Sequence, residues 1–417
     1  MSSKLRLRKR GRSMSNLDQF LQAIDAEVQA EHETLIDLCR QFVEAPSASP
    51  PGRTVEVAQI VEKFLNAGAI ETEIVAGDPE APNVVGHVCK GQGRHVVFNA
   101  HMDTMQPGDE SKWSVPVLKL TRKDGRLYGL GMGNMKGALA AMCVASVVLA
   151  RHRKSLPGSL SMTAVCDEVM FGERGAVHLL KARPDVHGDY LISGEGPGFM
   201  HLAPAEKGLL WLDIETTGDG GHSSGALRGK TAAAKLAGLL TRIDGINDLY
   251  ADLPQEIAGI SGGDGNLGLR VSLNAGTVEA GGVRSLIPTK ARAQIDIRLP
   301  PGITGAEIEQ KVRLAAENNP DIEIKAVKAW DANWTALANP VVAELSAAAA
   351  TVRGEAPQLV VRLPGSDARR WRDLGVPAAC YGPQPTLSAG VDDFAGEQDV
   401  LDCARVYART AVRLMQN

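Results

Sequence analysis

Four short stretches carry residue types that can do chemistry. "HMDT" (101–104) places an imidazole, His101, two residues before a carboxylate, Asp103. That spacing suits a metal ligand with a carboxylate to orient it. "CDEVM" (166–170) sets Asp167 beside Glu168, and adjacent acids suit a general base next to a ligand. "SGEGPG" (193–198) offers Glu195. The fourth, "GLGMGNMKGALAA" (129–141), sets Asn134 among glycines at the head of an apolar run. Glycine lets a backbone pass close to a bound group. One imidazole and four carboxylates can hold a divalent ion and move a proton from water.

The elements that must position them follow from apolar periodicity. "HVVFNA" (95–100), "SLSMTAV" (159–165) and "DYLIS" (189–193) are short apolar runs that read as buried strands. His101, the 167–168 pair and Glu195 each follow the end of one. Ligands in open α/β sheets bind beyond the carboxyl ends of the strands. Helices are expected over 15–44, 54–67, 136–150 and 340–353, and a further strand at "AACYG" (378–382). Alternating strands and helices imply a doubly wound, mostly parallel α/β sheet. From Trp211 the pattern changes. "LWLDIETTG", "LRVSLNAGTVEAGG" and "KARAQIDIRLPPG" alternate with period two, as half-exposed antiparallel strands do. With helices at 230–243 and 304–317 and a last strand at 322–327, this segment reads as an inserted α+β domain. The expected organisation is a disordered basic extension (1–14), a catalytic domain (15–206 and 329–417) and a lid/dimerisation domain (207–328).

Composition sets the bounds. The chain has 417 residues, 44% apolar and 23% charged, with a formal net charge of −4. No pull toward nucleic acid or a membrane surface is evident. The six cysteines form no CxxC pair, which reads as buried, reduced thiols and a cytoplasmic protein. Gly129, Gly131 and Gly133 also raise a nucleotide-binding loop. The acidic ribose partner expected about 20 residues on is missing, and "VLARHR" stands there.

With "EKGLLWLDIETTGDGGHSS" (206–224), "VRSLIPTKARAQIDIRL" (283–299) and "GSDAR" (365–369) added, the chain resembles a known family from about residue 30 to the C-terminus. It is similar to the glutamate carboxypeptidase, acetylornithine deacetylase and succinyl-diaminopimelate desuccinylase family of two-zinc metallohydrolases. The resemblance implies that His101 and Glu195 bind a first metal and that Asp103 orients His101. It implies that the 167–168 pair is a base followed by a second-metal ligand, with a shift of one or two residues allowed. Asn134 stands where the family has an aspartate bridging both metals. The family's last ligand, a histidine, matches Ala389 in "LSAGVDDF" (387–394), and no histidine follows His222. The resemblance also places His222 in the lid. There it reaches a cleft, often a partner subunit's, and stabilises developing negative charge.

These departures bear on the metal count. Two divalent ions roughly 4 Å apart repel by on the order of 15–20 kcal/mol at an effective dielectric near 20. An anionic bridge offsets that repulsion, and the neutral carbonyl of Asn134 does not. One weakly held ion per chain (Mn, Zn, Co or Fe) is therefore expected, on His101 and Glu195 with Asn134 or a carboxylate as a weak third ligand. The function expected is hydrolysis of a C–N bond through a single activated water, with Asp167 or Glu168 as base. The departure resembles that of aromatic aminohydrolases in the family. It implies hydrolytic deamination of an aromatic amine such as 5-nitroanthranilate to the hydroxy acid. The alternatives are a deacylase or carboxypeptidase on N-acyl amino acids, and a non-catalytic binding or scaffold descendant. Trp330 and Trp334 in "AWDANWTAL" (329–337) are candidate walls for an aromatic substrate. Arg284 and Arg369 are candidate substrate contacts, Arg369 for a carboxylate. A homodimer or higher oligomer through the lid is expected, because its sheet has an edge to cover.

Overall fold

The computed structural model describes residues 15–386 and 390–416. The basic extension and Ala389 lie outside the described residues. The apolar runs pair into one nine-stranded sheet. Its order is Glu71–Val75, Asn83–Cys89, Ser159–Val165, His95–His101, Tyr190–Ser193, Ala378–Cys380, Leu202–Glu206 and Asn333–Trp334, with Leu359–Arg362 added onto Leu202–Glu206. His95–His101 lies between two parallel partners, Ser159–Val165 and Tyr190–Ser193, and Ala378–Cys380 is parallel to the latter. Four parallel carboxyl ends therefore open on one rim. The rest of the sheet is mixed. Glu71–Val75 and Asn83–Cys89 extend it as antiparallel strands, which the short connection between them permits.

Helices cover the buried strands. The expected 15–44 helix is two, Asn16–Ala30 and His32–Glu44. The first is capped by the Ser15 hydroxyl accepting from the Asp18 amide. Met132–Arg151 is long and apolar enough to cross a membrane by length and composition, but 94% of its apolar window is buried inside the protein. Its apolarity on all sides is that of a core helix packed from both flanks.

The chain leaves this sheet after Glu206 and returns at Asn333. In between it builds a four-stranded antiparallel sheet, ordered Ser272–Ala280, Lys290–Leu299, Gly208–Thr217 and Ile322–Trp330. Alternation decides its faces. Leu210, Leu212, Ile214, Ile295 and Ile297 are buried with Leu236, Leu239, Ile308 and Val312 of the helices Ala232–Ile243 and Gly305–Ala315. Each such side chain contributes about 1.5–3 kcal/mol. Trp211, Asp213 and Glu215 fall on the other, half-open face. Trp330 ends a lid strand rather than starting the catalytic domain.

Candidate metal centre

His101 closes its strand and is fully buried. Its Nδ1 lies 2.8 Å from the backbone carbonyl of Asp103, so Nδ1 carries the proton and donates. Nε2 is left with a free lone pair. The Asp103 carboxylate stands farther away, 3.6 Å from Nδ1. It accepts instead from the Glu168 and Val169 amides, both at 3.1 Å. Asp103 thus orients His101 through its main chain, and its carboxylate fixes the loop that carries Glu168.

Around Nε2 the other strand ends converge. Glu168 Oε2 is 3.7 Å away and Glu195 Oε1 3.8 Å. Ligand atoms of His101, Glu168 and Glu195 all lie within 4.8 Å of one another. Among the described residues, His101 Nε2, Glu195 Oε2 and Asn134 Oδ1 are buried with no hydrogen-bond partner, as are Asp367 Oδ2 and Gln384 Oε1. An unpartnered buried polar atom costs about 1–3 kcal/mol. One imidazole nitrogen and several oxygens left bare together are what a divalent ion satisfies. Burial first, then Glu195, Asp367 and Asp103, push the Glu168 carboxyl well above its ordinary range, against the pull of Arg362. Burial first, then Glu195, Asp103 and Glu206, raise Asp367 well above its ordinary range, against the pull of Arg370.

The adjacent acids part company. Asp167 sits at φ 64°, and that turn sends its carboxylate away from His101. It accepts from the Arg174 amide (3.0 Å), Nε (3.0 Å) and Nη2 (2.7 Å). Asp167 is a structural anchor here, and Glu168 alone of the pair faces the centre. The next residue, Val169, lines the same cavity and has no ligand atom.

Asn134 also lines the cavity, on a loop clamped from the C-terminal segment. Asp393 accepts from the Gly131 amide (2.7 Å) and the Gly133 amide (3.1 Å), and its carbonyl from Gly129 (2.9 Å). Those amides are therefore not free for a phosphate, which removes the nucleotide reading. Gly131, at φ 86°, is required: a Cβ there would meet Thr104 at 2.3 Å.

The cavity holds about 380 Å³. Trp330 lines it beside Trp211, and both rings meet Phe171 edge-on with centroids 5.2 Å away. Arg369 lines it too, its guanidinium 5.2 Å above the Trp330 ring. Trp334 does not reach it. That ring packs with Ala205, Ile257 and Val361, so its expected role as a substrate wall is corrected. Arg284 is exposed on a lid loop outside this cavity, which no longer supports a substrate contact within one chain. His222 is exposed as well, its Nδ1 2.8 Å from the Ser224 hydroxyl. Asp367, Arg362, Gln384, Trp211 and Phe171 were not singled out from sequence. Asp367 lies in "GSDAR", two residues before Arg369.

Residues 97–413 match the model of peptidase family M20/M25/M40. The chain is 25% identical over 400 residues to the N-formyl-4-amino-5-aminomethyl-2-methylpyrimidine deformylase of Bacillus subtilis, covering 88% of this chain and 91% of that one. It is 27% identical over 391 residues to the succinyl-diaminopimelate desuccinylase of Gluconacetobacter diazotrophicus, covering 91% and 97%. Its fold is similar to human carnosine dipeptidase 1 (TM-score 0.74, 15% identity, 95% of this chain and 99% of that one). It is also similar to Bacillus subtilis YXEP, described as a dinuclear metal-binding peptidase (TM-score 0.68, 15% identity, 93% and 99%).

Proposed function

The chain belongs to peptidase family M20/M25/M40, a family of C–N bond metallohydrolases, and on that premise we propose that it removes an acyl group from an amine or amino acid with one divalent ion per chain. The observation that carries this reading is the set of bare donors around His101 Nε2, with Glu168 beside them. His101 and Glu195 would hold the ion, with Asn134 and Asp367 available as further oxygens. Such an ion supplies Lewis acidity and lowers the pKa of water. Single occupancy is supported by the neutral Asn134 in place of an anionic bridge and by Val169 next to Glu168. Glu168 takes the proton from the attacking water and returns it to the departing nitrogen. Asp103 keeps the Glu168 loop in place. His222, exposed on the lid, is proposed to act at a partner subunit's cavity.

A deformylase and a desuccinylase among the relatives favour an amide substrate over an aromatic amine. Deamination of an aromatic amine is the second reading, supported by the Trp211, Trp330 and Phe171 wall. The test is a pair of assays on metal-loaded protein. One offers N-formyl and N-succinyl amines and amino acids, the other 5-nitroanthranilate and related electron-poor anilines. Turnover of the acyl compounds alone supports deacylation. Turnover of the anilines alone reverses the order of the two readings.

A further inference from the structure

Arg362 ends the strand Leu359–Arg362 and is 2% exposed, yet it lines the cavity beside Glu168 and Glu195. Its Nη2 donates to Glu195 Oε1 at 2.5 Å and its Nη1 to the Gly196 carbonyl at 2.9 Å. A guanidinium has five N–H groups. These two bonds leave three without a partner among the described residues, and Nε is buried and unpaired. A buried guanidinium stays charged, and leaving its donors idle is costly. On the one-ion reading above, the site holds no second divalent charge.

We propose that Arg362 is a catalytic residue that donates to the substrate's carbonyl oxygen as it becomes negative. This rests on the amide reading above. Water's oxygen bonds to the acyl carbon while its proton passes to Glu168. The C=O π pair becomes a lone pair on the carbonyl oxygen, and the idle N–H groups of Arg362 meet that charge. When the C–N bond breaks, the pair re-forms the carbonyl and the proton on Glu168 goes to nitrogen. Amide plus water give carboxylic acid plus amine. A preformed donor aimed where charge develops acts mainly on the transition state. The contact to Glu195 leaves that carboxylate its Oε2 for an ion, so Arg362 positions the ligand as well.

The experiment compares wild type, Arg362→Lys and Arg362→Met, each metal-loaded and checked for melting temperature and metal content. The probes are the best N-formyl or N-succinyl substrate and its phosphinate isostere, which mimics the tetrahedral oxygen. Arg362→Met should lose roughly 10²–10³ in kcat with little change in KM. Phosphinate affinity should fall in parallel, and added guanidinium chloride at low millimolar concentration should restore part of kcat. Arg362→Lys should fall between the two. If Arg362→Met loses activity only as it loses metal, with phosphinate affinity per metal-loaded chain unchanged, the catalytic role is wrong and Arg362 only holds Glu195. If either variant fails to fold, the other and the guanidinium rescue decide. Wild type that turns over no acyl substrate and binds no phosphinate overturns the amide reading, and this inference with it.

Discussion

Replacing each of the adjacent acids by its amide separates two roles that sequence alone left joined. Glu168→Gln removes the one carboxylate of the pair that faces His101 Nε2, at 3.7 Å. As general base it should carry about 10²–10⁴ of turnover, or roughly 3–5 kcal/mol of barrier at 1.36 kcal/mol per tenfold. Stability should not fall, because the charged carboxylate is crowded by Glu195 and Asp367. Asp167→Asn does the opposite. It weakens a half-buried ion pair by removing the charged acceptor for three N–H groups of Arg174. It should cost about 1–3 kcal/mol of stability and spare kcat in the fraction that stays folded. The sign of the pH dependence follows. Glu168 titrates higher in the folded than in the unfolded chain, so the folded state holds its proton longer. Metal-free stability should then decline as pH rises from the ordinary glutamate range through the raised folded value. Glu168→Gln should flatten that decline. The assays are steady-state kinetics on metal-loaded protein and denaturant melts of metal-free protein across pH. Normal turnover in Glu168→Gln with loss in folded Asp167→Asn would refute the assignment.

Asp393→Ala should destabilise the fold by about 2–5 kcal/mol, since it leaves the buried Gly131 and Gly133 amides unpaired; chemical denaturation measures it, and a change below about 0.5 kcal/mol would mean the loop does not need the clamp. Trp330→Ala should raise KM several-fold more for substrates with an aromatic group than for aliphatic ones, and equal effects on both would leave the wall without a substrate role. The proposed lid-mediated dimer should sediment at twice 44.2 kDa, and His222→Ala chains mixed with Glu168→Gln chains should regain part of the lost activity if His222 acts in the partner's cavity. A fully active monomer would end that proposal.

His101, Glu168 and Glu195 were legible because each follows an apolar run short enough to be only a strand. Their meeting then follows from the parallel pairing of those runs. Which of Asp167 and Glu168 faces inward was not legible, because it turns on a single positive φ at Asp167 that no local composition marks. Arg362 and Asp367 were missed for a different reason. They reach Glu195 and the cavity from more than 160 residues along the chain, after the lid has been built and left. Trp211 and Trp330 become one wall only because Gly208–Thr217 and Ile322–Trp330 pair antiparallel, with Trp330 opposite Leu209. The two tryptophans of "AWDANWTAL" looked alike in sequence. A lid strand end and a short sheet strand send one to the cavity and the other to a packed cluster.

The central claim is that this centre works with one divalent ion. Metal content is measured by elemental analysis after loading with manganese or zinc and gentle dialysis, alongside the activity of the same samples. The account predicts at most one ion per chain, with activity rising linearly to saturation at that single equivalent. Two ions per chain that survive dialysis, with activity appearing only as the second is bound, would contradict it.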